Sequence, residues 1–205
     1  MFINWKSREL NLNLVYYGPA LSGKTTNLEQ IHARLKPASR SDLFTLNTHE
    51  DRTIFFDFLQ LEIGEIGGLK PKFGLYTVPG QIYYATTRET VLRRADAVVF
   101  VVDSQAERLE DNQTAWRDME AQLQRMNRSL LTMPLIVQLN KRDLPSALPI
   151  TELRAALEIG VHPCIEAVAF QNQGVSETLH AAMRALLMDV QRKLAAAQTT
   201  PGGSA

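Results

Sequence analysis

Gly18, Gly23, Lys24 and Thr25 stand in the spacing G-x-x-x-x-G-K-[ST], within GPALSGKT, and that combination suits a polyphosphate. Glycine at 18 and 23 lets the backbone turn successive N–H groups inward as an anion nest, while Lys24 can reach β- and γ-phosphates and Thr25 can ligate Mg²⁺. Leu21, Ser22 and Thr26 complete this phosphate-binding set. Far downstream, Asn140-Lys141-Arg142-Asp143 suits the other end of the same ligand. A carboxylate at Asp143 accepts hydrogen bonds from N1–H and the 2-amino group of guanine, whereas adenine presents an acceptor at N1 and repels it. Asn140 is suited to bracing neighbouring loops, and Lys141 to laying its stem along the base. Taken singly, each motif has a bland reading: a strand-turn-helix with accidental glycines, or a polar turn after a strand. Together they ask for GTP.

A third set of residues could act on the γ-phosphate. In Thr77-Val78-Pro79-Gly80-Gln81, Gly80 can offer its backbone N–H to that phosphate. The Gln81 carboxamide can accept from an attacking water while donating to a phosphoryl oxygen. The plainer reading is a Pro-Gly turn and an exposed helix cap. Upstream, the polar stretch 47–53 (NTHEDRT) offers Thr53 to complete a Mg²⁺ shell in the GTP state. Arg52 either swings onto the γ-phosphate as an arginine finger in cis or stays a solvated charge beside Glu50 or Asp51. Asp57, among aromatics in FFDF, is costly to bury unpaired. It either supplies a Mg²⁺-site carboxylate or faces solvent or a backbone partner, and alternation places it on one side with Phe55 and Leu59.

These groups need a scaffold. Apolar runs at 12–17, 97–102, 135–139 and 164–168 read as buried strands, and 53–61 and 70–78 as a hairpin joined through Gly64, Gly67 and Gly68. Helical stretches follow at 24–35, 82–94, 108–125 and 175–194. Strands alternating with helices predict an α/β fold: a mostly parallel central sheet, one antiparallel edge strand from the hairpin, and helices on both faces. In such sheets ligands bind beyond the carboxyl ends of the strands, which is where both motifs fall. The architecture resembles the Ras-like G domain of P-loop NTPases, although most Ras-like GTPases carry aspartate where this chain has Thr77.

With 205 residues and 45% hydrophobic content, the chain can bury one sizeable core, and no Pro/Gly/Ser-rich linker divides it. The expectation is a single domain over 1–195 and a flexible tail over 196–205. Lys+Arg and Asp+Glu are both 22, so nothing recommends a nucleic-acid backbone as partner. Cys164 is the only cysteine, which excludes an internal disulfide and suits a reducing cytosol. His162 beside it makes a poor zinc pair, and a buried strand cysteine is the plainer account. No apolar run has the length of a membrane span, and no signal peptide or lipidation motif is visible, so no direct membrane anchor is expected.

GPALSGKTTN, DRTIFFDF, LYTVPGQ, NKRDLP and the later EAVA-x-x-x-x-GV together resemble the MglA family of bacterial small GTPases, which governs gliding motility and cell polarity. The similarity spans nearly the whole chain, and the threonine of TVPGQ is typical of that family. The resemblance implies a small GTPase switch that binds GTP or GDP with Mg²⁺ and hydrolyses GTP, slowly without an activating partner. It implies catalytic roles for Arg52 and Gln81, and backbone contact with guanine O6 from the segment containing Val168 and Ala169. Phe170-Gln171-Asn172-Gln173 departs from the usual following residues. It also implies partners: a roadblock-domain GTPase-activating protein of the MglB type, expected as a dimer, that repositions these residues without lending an arginine, and effectors of the GTP state. The implied location is cytoplasmic, with recruitment to a cell pole by partners. Two rivals stand beside this reading. One is a guanine-nucleotide-binding scaffold that does not hydrolyse; the other is an ATP-dependent P-loop enzyme such as a small kinase, which would need an acceptor site and lid that no inserted segment supplies.

Overall fold

The computed structural model describes residues 1–46, 56–62, 65, 68–79 and 85–199. Among these, eight strands and five α-helices follow in the order β1 (Phe2–Asn4), β2 (Glu9–Tyr17), α1 (Lys24–Arg34), β3 (Phe44–Leu46), β4 (Phe56–Glu62), β5 (Lys70–Thr77), α2 (Ala85–Arg94), β6 (Ala97–Asp103), α3 (Leu109–Arg125), β7 (Leu135–Asn140), α4 (Ile150–Ala156), β8 (Cys164–Glu166) and α5 (Val175–Thr199). The sheet order is β3-β4-β5-β2-β6-β7-β8, with β1 paired to the start of β2. From β5 to β8 every neighbouring pair is parallel.

Burial explains the layering. Along β2, Leu10, Leu12, Leu14 and Tyr16 join the core that includes Leu28 and Ile31 of α1 and Leu179, Met183 and Leu186 of α5. Val15 and Tyr17 point to the opposite core, with Leu92 of α2, Trp116 and Met119 of α3 and Leu153 of α4. One strand therefore feeds two apolar layers, as a doubly covered sheet requires. β6 and β7 are buried at every residue, so their sequences run apolar with hardly any alternation.

The expected hairpin is present: β4 runs antiparallel to β5, with Phe58 opposite Tyr76. That register brings the beginning of β4 level with the end of β5, so Asp57 lies at the sheet's ligand-facing edge although it opens its strand. The short β3 pairs antiparallel outside β4. β8 stops at Glu166 because Val168 turns to bridge Gln173 instead. α5 continues to Thr199, into the stretch expected as tail, where Ala195 to Ala197 are strong helix formers. No helix among the described residues is long and apolar enough to cross a membrane.

Candidate nucleotide site

The phosphate loop leaves β2 at Tyr17 and enters α1 at Lys24. Gly18 and Gly23 adopt φ of 142° and 100°, a region that side chains strain to occupy. The space is closed as well: a Cβ on Gly18 would lie 2.3 Å from Val101 O, and one on Gly23 would lie 2.2 Å from Asn140 Nδ2. Lys24 is 7% exposed, and its ammonium donates to Gly18 O (3.0 Å) and Pro19 O (2.6 Å). Burial, then the positive charge of Arg88, pushes its pKa down to about 7, against a smaller opposing pull from Asp57. Ser22 Oγ is buried without a hydrogen-bond partner. A buried cation folded onto its own loop and an orphaned hydroxyl beside it are what a phosphate would satisfy.

Beside the start of α1, Thr25 Oγ1 donates to Asp57 Oδ2 at 2.6 Å. Thr77 Oγ1 donates to the same oxygen at 3.0 Å and accepts from Asp57 N at 2.8 Å. Asp57 is 5% exposed, so it does not face solvent; it is turned toward the phosphate helix. Thr77, at the position where most Ras-like chains have aspartate, aims this neighbouring carboxylate. Thr25 and Asp57 together are a set of hard oxygen donors, and that chemistry fits Mg²⁺. Among the described residues no cluster of three or more His, Cys, Asp or Glu forms a separate metal site. Cys164 instead meets the guanidinium of Arg154, which donates to its sulfur at 2.8 Å.

At the end of β7, Asn140 joins the two halves. Its Nδ2 donates to Ser22 O at 2.7 Å, and its Oδ1 accepts from Ala169 N at 2.9 Å. The bracing role expected of Asn140 is thus visible as two bonds. Lys141, at φ 62°, turns its ammonium back onto buried Asp103 at 2.6 Å, which fixes the stem beside the loop. Asp143 is exposed. Arg142 N donates to Ala167 O at 3.2 Å, tying the Asp143 loop to the Val168 and Ala169 segment. Val168 N is committed to Gln173 O at 3.1 Å and Ala169 N to Asn140 Oδ1.

Gly18, Leu21, Ser22, Gly23, Lys24, Thr25, Thr26, Asn140, Lys141, Asp143, Val168 and Ala169 all lie at the carboxyl ends of the parallel strands, with Asp57 closing the edge. Arg52, Thr53, Gly80 and Gln81 lie outside the described residues.

Two contributors have weak or no signal in the sequence. Asp103, a carboxylate ending the buried run AVVFVVD, was readable in principle as a partner for Lys141. Arg88 of α2 was not. It is buried and pairs with Asp118 of α3 at 2.9 Å, and Asp118 also accepts from Tyr17, the residue before the phosphate loop, at 2.5 Å and from Gln122 at 2.8 Å.

Comparison with known proteins agrees with this geometry. Residues 1–190 match the ADP-ribosylation factor family. The chain is 44% identical over 191 residues to the mutual gliding-motility protein MglA of Myxococcus xanthus (strain DK1622), covering 93% of this chain and 98% of that protein. It is 26% identical over 156 residues to ADP-ribosylation factor-like protein 6 of Caenorhabditis briggsae, covering 74% of this chain and 72% of that protein. With its Ras-like fold and this likeness over nearly its whole length, this chain belongs to the ADP-ribosylation factor family of small GTPases.

Proposed function

We propose that this GTPase is a switch controlling bacterial motility or cell polarity, binding GTP or GDP across the loops that Asn140 joins. The observation that carries the reading is the pair of Asn140 bonds, 2.7 Å to the phosphate loop and 2.9 Å to the Ala169 segment. They hold two half-sites as one. The motility assignment follows the similarity to the Myxococcus xanthus protein named for mutual gliding motility.

On binding, Lys24 leaves Gly18 O and Pro19 O for the phosphates, and the amides of 18–26 close around the β-phosphate. Asp143 takes the guanine N1 and N2 protons, with Lys141 along the base and Val168 and Ala169 at its O6 edge. Thr25, Asp57 and Thr53 would hold Mg²⁺, which when bound spreads the charge of the β- and γ-phosphoryl oxygens. Gly80 N–H marks the presence of the γ-phosphate, Gln81 orients the attacking water, and Arg52 neutralises charge on the transferred group. Loss of the γ-phosphate releases the segments carrying Thr53 and Gly80, so each nucleotide presents a different surface to partners. The partners in this proposal are a roadblock-domain activating dimer of the MglB type and effectors selective for the GTP form.

Single-turnover GTP hydrolysis tests the reading in the parent, Gln81→Leu and Arg52→Ala, each alone and with a roadblock-domain dimer. Acceleration of the parent by the dimer, with a loss of roughly 10³-fold or more in either variant, is expected. Equal slow rates throughout would instead describe a non-hydrolysing scaffold.

A further inference from the structure

Between the two half-sites lies a buried polar cluster that recognition of the nucleotide does not use. Asn27 of α1 and Gln138 of β7 form a reciprocal amide pair: Asn27 Nδ2 donates to Gln138 Oε1 and Gln138 Nε2 to Asn27 Oδ1, both at 2.8 Å. Gln138 Nε2 also donates to Thr178 Oγ1 of α5 at 3.0 Å, and Thr178 Oγ1 donates to Gly174 O at 2.6 Å. Asn27 Nδ2 reaches Gly23 O in the phosphate loop at 2.9 Å. All three side chains are fully buried.

Gln138 and Asn140 are two residues apart on β7 and therefore share a face, the face whose apolar member Ile136 packs toward α1 and α5. Each amide spans the same gap. Asn140 links the phosphate loop to Ala169; Gln138 links α1, one turn past that loop, to the start of α5. The layer between α1, β7 and α5 is otherwise built from apolar side chains, Leu28, Ile31, Ile136 and Leu179 among them, and a well-shaped apolar pair can replace a buried hydrogen-bonded pair at nearly no cost in stability. What an apolar pair lacks is direction. A satisfied amide network fixes distances and orientations across the gap.

We propose that Gln138, with Asn27 and Thr178, is a positioning residue that sets the spacing between the phosphate cradle and the guanine loop. The inference rests on the reading of both loops as one nucleotide site. Its consequence is selective: only a ligand that spans both half-sites gains from their fixed separation, because the second contact is then made at high effective concentration. Ligands that occupy one half-site gain nothing.

The test compares the parent, the apolar double variant Asn27→Leu/Gln138→Met and the near-isosteric Thr178→Val. For each, thermal unfolding without nucleotide is measured, together with dissociation constants for GDP, guanosine and inorganic pyrophosphate. The expected result for the double variant is an unfolding temperature near the parent's and GDP binding weakened about tenfold or more. Guanosine and pyrophosphate binding stay unchanged. Thr178→Val leaves one buried Gln138 N–H unpaired and so lowers the unfolding temperature, but it shows the same ligand selectivity, with GDP binding weakened roughly threefold and guanosine and pyrophosphate binding unchanged, and carries the comparison if the double variant does not fold. GDP binding equal to the parent's, or an equal loss for all three ligands, would overturn the proposal. A parent that does not bind GDP would overturn the nucleotide reading beneath it.

Discussion

Thr25 Oγ1 donates to Asp57 Oδ2 across 2.6 Å, joining the first turn of the phosphate helix to the opening of an antiparallel strand. The contact explains how a chain with threonine at position 77 keeps a carboxylate at the phosphate site: Thr77, opposite on β5, donates its hydroxyl to that carboxylate and accepts from the Asp57 backbone N–H. Asp57→Asn keeps the shape and removes the charge. The Mg²⁺-dependent part of GDP affinity is expected to fall by about tenfold, or about 1.4 kcal/mol, while affinity in excess chelator stays the same. Fluorescent-nucleotide dissociation with and without Mg²⁺ measures both. Thr77→Val, which only loosens the carboxylate, gives a smaller loss of the same kind. Equal losses in Mg²⁺ and in chelator would remove Asp57 from the metal site.

Lys24 makes binding depend on pH in a defined direction. In the free protein burial and Arg88 hold its pKa at about 7, below the ordinary value of 10.5, whereas bound phosphates favour the charged form and raise it. Above pH about 7 the free lysine has lost its proton and must regain it to bind, so GDP affinity falls as pH rises, by up to about tenfold per unit. Below that pH this lysine contributes no slope. For folding without ligand the sign is opposite, because the unfolded state holds the extra proton between about 7 and 10.5, and stability rises with pH across that window. Calorimetry at pH 8 in buffers of different ionisation enthalpy reads the proton uptake, and Lys24→Met abolishes it. A flat affinity between pH 7 and 9 would contradict the account.

Gly23 and Gly68 separate two costs of replacing glycine. Both have positive φ, 100° and 77°, but a Cβ on Gly23 would lie 2.2 Å from Asn140 Nδ2 while one on Gly68 meets nothing within 4 Å. Gly68→Ala is expected to lose about 1–2 kcal/mol of stability and to leave GDP binding unchanged. Gly23→Ala loses at least as much and, by displacing Asn140, also weakens GDP binding severalfold. Denaturant titration and nucleotide binding on the pair distinguish the two effects.

The Asp118 carboxylate ties α2 and α3 to the residue preceding the phosphate loop. Burial alone would raise its pKa, but hydrogen bonds from Tyr17 and Gln122 and the charge of Arg88 lower it overall. The stability it adds is present above the ordinary aspartate range and is lost as pH falls below it. Asp118→Ala is expected to cost about 1–3 kcal/mol at neutral pH, moderated by the partial exposure of the pair, and to flatten this acid dependence. Urea unfolding from pH 7 to 3 in parent and variant tests both.

The two loops proposed to hold the nucleotide stand out in the sequence because their chemistry is local: Gly18 to Thr25 and Asn140 to Asp143 each carry donor, acceptor and backbone requirements within a few residues. The major strands were legible for the same reason, as β6 is apolar from Ala97 to Val102 and β7 is apolar but for Gln138 up to Leu139. Asp57 could be narrowed only to two alternatives, since its fate depends on a register with Thr77 across 20 residues that no local pattern encodes. α4 buries only Leu153, too little for a period to emerge, and β1 and β3 are three residues each. Gln138 read as one polar residue in an apolar strand; its partners, Asn27 and Thr178, come from two helices that only the fold brings together.

In the proposed complex Asp143 reads guanine at the far end of a ligand whose phosphates Lys24 holds. Binding of GDP, ADP and xanthosine diphosphate to the parent and to Asp143→Asn measures this. The parent is expected to prefer GDP over ADP by at least about 10³-fold, and the variant to lose GDP affinity while gaining xanthosine diphosphate, whose 2-oxo group accepts from the new amide. A variant that keeps the parent's preference for GDP would contradict the account.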